Sequence, residues 1–135
     1  MADATIIDGR ALAGKVKDDL TRRVTALQRQ GKNVRLDAVL VGGDQGARMY
    51  ANNQAKACGA VGIEYVLHEL PDTSSESDII ATVDMLNESK VVTAIMVHMP
   101  LPDGVDAYEI QARISSVKDV EGVNPANIGG IDFGK

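Results

Sequence analysis

The sequence predicts an α/β fold, a three-layer domain with a mainly parallel sheet flanked by helices. Segments with helical apolar spacing alternate with short apolar segments rich in β-branched residues, which is typical of a parallel sheet covered on both faces. The chain has 135 residues, of which 44% are hydrophobic and 24% charged. It therefore suits one globular domain of ordinary size with a hydrophobic core, and we expect residues 1–135 to form a single unit.

The first helix is predicted between Asp8, a candidate N-cap, and Gly31, a candidate stop. Its apolar stripe has helical spacing and consists of Leu12, Val16, Leu20, Val24 and Leu27. A short, mostly apolar strand is predicted next over 36–41. A second helix over 45–61 and a second strand over 63–70 follow it.

The second half of the chain begins with a capping box, in which Ser75 is followed three residues later by Asp78. This motif predicts the start of a third helix. A β-branched segment over 92–97 predicts a third strand, and a short helix is expected over 106–114. The tail over 115–135 is rich in Gly, Asn and Asp and has little periodicity, so no regular element is predicted there.

Composition limits the classes of function. A net charge of −5 argues against nucleic acid or an anionic membrane as the main partner. No apolar run approaches the roughly 20 residues of a membrane span, and the start of the chain lacks a signal pattern, so we expect a cytoplasmic protein. The single Cys58 excludes an internal disulfide and a cysteine-based zinc cluster, and it is expected to be a buried small hydrophobe. With only His68 and His98 besides, no metal site is predicted.

Parallel sheets bind ligands beyond the carboxyl ends of their strands, which makes 42–43 and 98–102 the candidate regions. The glycines after the first strand lack the full G-x-G-x-x-G spacing, because Val41 stands where the first glycine should be. No Gly-Lys-Ser/Thr follows, so an ordinary turn is favoured over a nucleotide site.

Single residues leave alternatives open. His98 follows the third strand, where it either closes the strand or places a titratable group near a pocket. Tyr50 either packs against the sheet or faces a ligand. In the irregular tail, Lys118, Asp119 and Glu121 are expected to be solvated charges when they are considered alone.

Several motifs, however, occur together in one order. They are Ile7-Asp8-Gly9; Val41-Gly42; Tyr50 with Lys56-Ala57-Cys58 and Val61-Gly62; Met99-Pro100-Leu101-Pro102; Lys118-Asp119-Val120-Glu121-Gly122; and Asn127-Ile128-Gly129. Over nearly its whole length, the chain resembles the amino-terminal, folate-binding domain of the bifunctional methylenetetrahydrofolate dehydrogenase/cyclohydrolase family. The resemblance implies oxidation of methylenetetrahydrofolate with NADP, or in some members NAD, followed by hydrolysis of the methenyl product. It also implies a homodimer when the protein is full-length.

The same resemblance implies a site. Tyr50 would pack against the folate ring system, the turn of Pro100, Leu101 and Pro102 would line the pocket, and Glu121 would bind the pterin edge. The folate would lie in a cleft between this domain and an NADP-binding Rossmann domain. Since 135 residues cannot contain that second domain, we expect a truncated or separately expressed domain rather than a natural stand-alone protein, without hydride transfer of its own.

This sequence departs from the family pattern at the residues of the hydrolysis step. The family has Tyr-x-x-x-Lys, and here Gln54 replaces the lysine, whereas Lys56 lies about 200° away around the helix. His98 stands where glutamine is usual. Tyr50, Gln54 and His98 are thus the candidate catalytic residues, and His98 is either a relocated proton shuttle or a sign that the hydrolysis step is lost.

Other departures concern the fit of the substrate. Glu121 replaces an aspartate, and Ala47 and Ser116 stand where serine and proline are usual. The sequence therefore predicts the folate-binding half of an NADP-dependent dehydrogenase whose cyclohydrolase step is doubtful. The alternative is a non-catalytic folate- or pterin-binding module, or a diverged pseudoenzyme.

Overall fold

A three-stranded parallel sheet forms the centre of the domain. The computed structural model describes residues 4–135. Strand β1 (Arg35–Val41) lies in the middle, with β2 (Glu64–Leu70) on one side and β3 (Ala94–Val97) on the other. All of these strands run in one direction, and five helices accompany them in the described part of the chain. The predicted α/β fold is confirmed.

Each helix begins at a polar N-cap, as the sequence predicts for the first and third of them. The helices are α1 (Gly9–Arg29), α2 (Gln45–Val61), α3 (Glu76–Glu88), α4 (Ala107–Arg113) and α5 (Pro125–Asp132). Asp8 accepts a hydrogen bond from the amide of Ala11 at 2.9 Å. The capping box of Ser75 and Asp78 is complete, so the predicted start of α3 is confirmed.

The two faces of the sheet bury different side chains, because successive residues of a strand point to opposite sides. One face packs on α3 and α4 through a cluster that includes Val39, Val41, Ile95, Val97, Ile79, Val83 and Ile110. On the other face, Met96 contacts Gln54 of α2. The site described below lies on this second face and at the carboxyl end of β3.

Helix α1 is less buried than its apolar stripe suggests. Val24 is buried, but Leu12 and Val16 are about half exposed, at 58% and 50%. Together with buried Cys58 and Val61 of α2, they line an apolar groove of about 490 Å³. Despite its length, α1 is not apolar enough to cross a membrane, and neither is any other helix in the described part of the chain.

Helix α5 lies in the tail for which the sequence predicted no element. It is anchored by Asn124, whose Oδ1 accepts from the amide of Ala126 at 2.8 Å and whose Nδ2 donates to the carbonyl of Ile114 at 2.8 Å. The apolar stripe that normally reveals a helix is absent, because α5 contains Gly129 and Gly130 and buries none of its residues. The Asn124-Pro125 pair, an N-cap followed by proline at N1, was the available signal.

Candidate functional site

A cavity of about 230 Å³ opens where β3 ends. Its wall combines residues of α2, the end of β3, α4 and the loop before α5: Ala47, Tyr50, Met96, Val97, His98, Met99, Gln111, Glu121 and Val123. This is the carboxyl edge of the parallel sheet, the position at which such folds bind small molecules. The cavity brings together three of the residues proposed from the sequence: Tyr50, His98 and Glu121.

His98 is a buried wall residue held between two tyrosines. It is 3% exposed, and its backbone amide donates to the carbonyl of Val39 at 2.8 Å, which continues the sheet ladder. The Tyr50 ring meets the imidazole edge-on, with ring centroids 5.7 Å apart and an interplanar angle of 73°. On another side, the Tyr65 hydroxyl lies 3.3 Å from Nε2. Burial lowers the pKa of His98, so the ring is neutral near pH 7.

Tyr65 reaches this cluster from β2, the strand on the far side of β1. Burial raises the pKa of Tyr65 to about 12, with smaller contributions from Cys58 and Tyr50. The phenol therefore keeps its proton throughout the physiological range and is available as a hydrogen-bond donor. Tyr65 does not line the cavity, so its contact with the site runs through His98.

Gln54 lies one helical turn after Tyr50 on α2. Its Nε2 donates to the sulfur of Met96 at 3.0 Å, a weak acceptor. Its Oε1 is buried without a hydrogen-bond partner in the described part of the chain, an arrangement that costs about 1–3 kcal/mol in a typical protein. Gln54 thus contacts the cavity wall through Met96 and is not part of the lining.

The loop that carries Glu121 is organised by one carboxylate. Asp119 accepts hydrogen bonds from the amides of Gly122 at 3.0 Å and Asn124 at 2.9 Å, and from Nδ2 of Asn127 at 2.8 Å. Burial alone would raise the pKa of Asp119, but these hydrogen bonds outweigh it and the net pKa is lowered. For Glu121, burial and then the Asp119 charge raise the pKa. The loop therefore presents a carboxyl group that is protonated more readily than an ordinary glutamate.

Lys118 fixes the start of the same loop. Its Nζ donates to three backbone carbonyls at the end of α3, those of Leu86 at 3.0 Å, Asn87 at 2.8 Å and Ser89 at 2.7 Å. These carbonyls lack partners within the helix, so the ammonium group caps α3 and favours its dipole. The expectation that Lys118 and Asp119 are solvated charges is wrong, because both side chains are enclosed by the backbone that they bind.

We expect Lys118→Met to lower the free energy of unfolding by about 2 kcal/mol, because three helix-end carbonyls lose a partly buried charged donor. Urea denaturation of the chain at pH 7 measures this change. The matched control is Lys90→Met, which removes an exposed lysine from the neighbouring loop and should change stability by no more than about 0.5 kcal/mol. Equal stability of the two variants would contradict the capping role of Lys118.

The proline turn borders a second, smaller cavity of about 170 Å³. Pro100, Leu101 and Pro102 line it together with Val41, Gly42, Gly43, Asp44 and Asp72. The peptide bond between Met99 and Pro100 is cis. The turn therefore lies beside the cavity of His98 rather than in its wall, and Met99 is the residue of this motif that reaches the wall.

The Gly42-Gly43 turn does not have the geometry of a phosphate loop. Gly42 adopts a φ of 83°, and a Cβ there would approach that of Asp72 to 3.2 Å, so glycine is needed for the turn itself. At the start of α2, Asp44 accepts from the amide of Ala47 at 2.7 Å. A carboxylate thus occupies the position where a phosphate would bind a helix N-terminus, which supports the interpretation as an ordinary βα turn.

Comparison with known proteins assigns the fold and the motifs to one family. Residues 7–121 match the family model described as tetrahydrofolate dehydrogenase/cyclohydrolase, catalytic domain. The chain belongs to the tetrahydrofolate dehydrogenase/cyclohydrolase family. The bifunctional protein FolD of Pelobacter propionicus is 39% identical over 132 residues, which are 98% of this chain and 47% of that protein. The chain thus spans about half the length of the curated relatives it matches.

Solved structures of family members superpose closely on this domain. The bifunctional FolD enzyme of Campylobacter jejuni matches with a TM-score of 0.94 at 33% identity, covering 96% of this chain and 46% of that one. The FolD of Trypanosoma brucei, solved with NADP cofactor and inhibitor, matches with a TM-score of 0.90 at 30% identity, covering 97% of this chain and 45% of that one. The predicted family is confirmed.

Within this tetrahydrofolate dehydrogenase/cyclohydrolase domain, the predicted site residues fall into three places. Tyr50, His98 and Glu121 line the cavity, Gln54 contacts it through Met96, and the proline turn lies next to it. Sequence reasoning did not single out Gln111 or Tyr65. Gln111 follows buried Ile110 on a short helix, and Tyr65 lies in the second strand, so neither stands at a recognisable motif. Among residues 4–135, no cluster of three or more His, Cys, Asp or Glu side chains could hold a metal ion.

Proposed function

We propose that this chain is the folate-binding half of a methylenetetrahydrofolate dehydrogenase that uses NADP, and that its methenyltetrahydrofolate hydrolysis step is slow. The observation that carries the proposal is the convergence of Tyr50, His98 and Glu121 on one cavity at the carboxyl edge of the sheet. Membership of the family supports a reduced folate as the substrate. A homodimer in the cytoplasm is part of the same proposal, and the homodimer rests on the family resemblance.

The chemistry of the cavity suits a flat aminopterin. Tyr50 keeps 57% of its surface exposed while one edge packs on His98, so its ring can serve as a face for an aromatic ligand. Glu121 supplies a carboxylate, which is the natural acceptor for the N–H groups along a pterin edge. Met96 and Val123 add apolar surface to the wall.

We propose that NADP is bound mainly by the part of the family's proteins that this chain does not span. The turn before α2 does not fit the pyrophosphate, because the carboxylate of Asp44 already occupies the helix N-terminus. When bound, NADP supplies the hydride acceptor. The residues of this chain hold and orient the folate for that transfer.

The slow hydrolysis follows from the groups present around the cavity. Gln54 has an amide that donates and accepts hydrogen bonds but carries no proton at neutral pH. Among the described residues that line the cavity none is a lysine, and His98 carries the side-chain type there whose ordinary pKa lies nearest neutrality. Any remaining proton transfer is therefore assigned to His98, in its neutral form at pH 7.

The test is to assay the full-length protein for NADP-dependent methylenetetrahydrofolate oxidation with and without Glu121→Gln. We expect oxidation in the parent and a loss of roughly 10- to 100-fold in kcat/KM in the variant, since a charge-assisted hydrogen bond contributes about 1.5–3 kcal/mol. Glu88→Gln, an exposed glutamate at the end of α3, is the matched control.

Three outcomes separate the candidates. Oxidation without appreciable hydrolysis supports the proposal. Full rates for both reactions contradict the argument from Gln54. Binding of a reduced folate without either reaction favours the alternative, a non-catalytic folate- or pterin-binding module or a diverged pseudoenzyme.

A further inference from the structure

The residues around His98 form a polar contact that the family assignment does not explain. Tyr65 comes from the edge strand β2 and is not part of the cavity wall, yet its hydroxyl lies 3.3 Å from Nε2 of His98. The Tyr65 side chain is half-buried, and the imidazole that it meets is 3% exposed, so this contact lies beneath the surface of the domain.

The direction of this hydrogen bond follows from which atoms can accept. His98 Nε2 is the one partner that the Tyr65 hydroxyl has in residues 4–135. If Nε2 carried a hydrogen and donated it, the phenol hydrogen would have no acceptor among residues 4–135, which is unfavourable for a half-buried hydroxyl. The tyrosine therefore donates and Nε2 accepts.

This direction fixes the tautomer of the ring. A neutral imidazole that accepts at Nε2 carries its hydrogen on Nδ1. Nδ1 makes no hydrogen bond to another residue in the described part of the chain. The nitrogen left for a ligand in the cavity is thus a donor, and it matches an acceptor such as a carbonyl oxygen or an unprotonated ring nitrogen.

We propose that Tyr65 is a positioning residue of the folate site, which holds His98 as the neutral Nδ1–H tautomer so that its free nitrogen donates to the bound substrate. This inference rests on the proposed function, since it concerns the same cavity. The edge-on packing of Tyr50 restrains the plane of the ring, and Tyr65 fixes which nitrogen is protonated.

The test combines ring NMR with a double-mutant cycle in the full-length protein. Tyr65→Phe removes the hydroxyl and keeps the ring, and Tyr108→Phe, an exposed tyrosine of α4, is the matched control. We expect Tyr65→Phe to lower kcat/KM for methylenetetrahydrofolate oxidation roughly 3- to 10-fold. In a His98→Gln background the same substitution should have no further effect, because Tyr65 acts through the imidazole.

The pH profile gives a readout that a merely structural role would not move. A hydrogen bond to the neutral imidazole lowers the pKa of His98. Loss of this hydrogen bond in Tyr65→Phe should therefore shift the acid limb of the pH profile of kcat/KM to higher pH. The other titratable groups facing His98 and Tyr65 are Tyr50 and Cys58 of α2 and Glu121 of the loop, and all of them are unchanged in the variant.

The nitrogen-15 shifts of the His98 ring decide the tautomer without any assay. We expect an unprotonated Nε2 in the parent and a mixture of tautomers in Tyr65→Phe. A ring protonated at Nε2 in the parent, or an equal kinetic effect of Tyr65→Phe with and without His98, would overturn the proposal. If the full-length protein neither binds nor oxidises folate, the proposed function fails while the ring shifts still decide the role of Tyr65.

Discussion

Gln54→Lys in the full-length protein is expected to raise the rate of methenyltetrahydrofolate hydrolysis by roughly 10²- to 10⁴-fold, the usual contribution of a positioned acid or base. Residue 54 follows Tyr50 by one helical turn and contacts the cavity wall through Met96. A lysine there adds a titratable amine on the face of α2 that points to the cavity. It also removes the amide oxygen that is buried without a partner.

Loss of absorbance by the methenyl species measures this reaction directly. The matched control is Asn53→Lys, which adds the same charge at the neighbouring, exposed position of α2 and should leave hydrolysis unchanged. Oxidation should change much less than hydrolysis in Gln54→Lys, because Tyr50, His98 and Glu121, which are proposed to hold the folate, remain. Equal hydrolysis rates in Gln54→Lys and the parent would refute the view that position 54 limits this step.

Asp37→Asn is expected to lower the free energy of unfolding by about 3 kcal/mol, the low end of the cost of breaking a buried ion pair. Asp37 lies in the middle of β1 with 0% of its side chain exposed. It accepts from Arg35 Nε at 2.7 Å and Nη2 at 2.8 Å, and from His68 Nε2 at 2.7 Å. The low end of this cost applies because the partners of Asp37 are not fully buried: 20% of the Arg35 side chain and 24% of the His68 side chain are exposed.

The contribution of Asp37 to the free energy of unfolding should decrease as the pH falls. Burial by itself would raise the pKa of Asp37, but the hydrogen bonds from Arg35 and His68 outweigh it, so the folded pKa lies below the ordinary value. The stabilisation is thus complete above the unfolded pKa of about 3.9 and is lost as pH falls through the folded pKa. Urea unfolding should show the difference between parent and Asp37→Asn at pH 7 and a smaller difference below pH 4.

Asp19→Asn provides the comparison for this second prediction. Asp19 pairs with Arg22 and Arg23 on the surface of α1, where 51% of its side chain is exposed. Its loss should cost no more than about 0.5 kcal/mol. Similar values for Asp19→Asn and Asp37→Asn would show that burial does not set the contribution of Asp37.

The elements that the sequence predicted are those with a local chemical signal. Helix α2 has an apolar face, an aspartate cap at Asp44 and a left-handed glycine at Gly62, and its predicted bounds agree with the observed ones. The capping box of Ser75 specified the start of α3 in the same way. In contrast, α5 depends on hydrogen bonds from Asn124 to the carbonyls of Ala112 and Ile114, which lie 12 and 10 residues earlier in the chain. Such contacts leave no periodic pattern in the sequence.

The residues of the candidate site also differ in whether a local sequence signal predicts them. Tyr50, His98 and Glu121 were found because each belongs to a motif or follows a strand, and the structure brings them together in one wall. Whether they bind folate stays a prediction. Tyr65 was not found because its contact with His98 crosses the sheet from β2, past β1, and only the register of the strands determines which side chains meet there.

The loop that presents Glu121 also covers one edge of the sheet. The amide of Ile95 in β3 donates to the carbonyl of Lys118 at 2.8 Å, and Asp119 lies beside Ile95 as a parallel bridge. An uncovered edge strand offers free amides and carbonyls to other chains and so favours aggregation. Substitutions that loosen this loop would therefore impair solubility along with ligand binding, and the two properties should be lost together when this motif is altered.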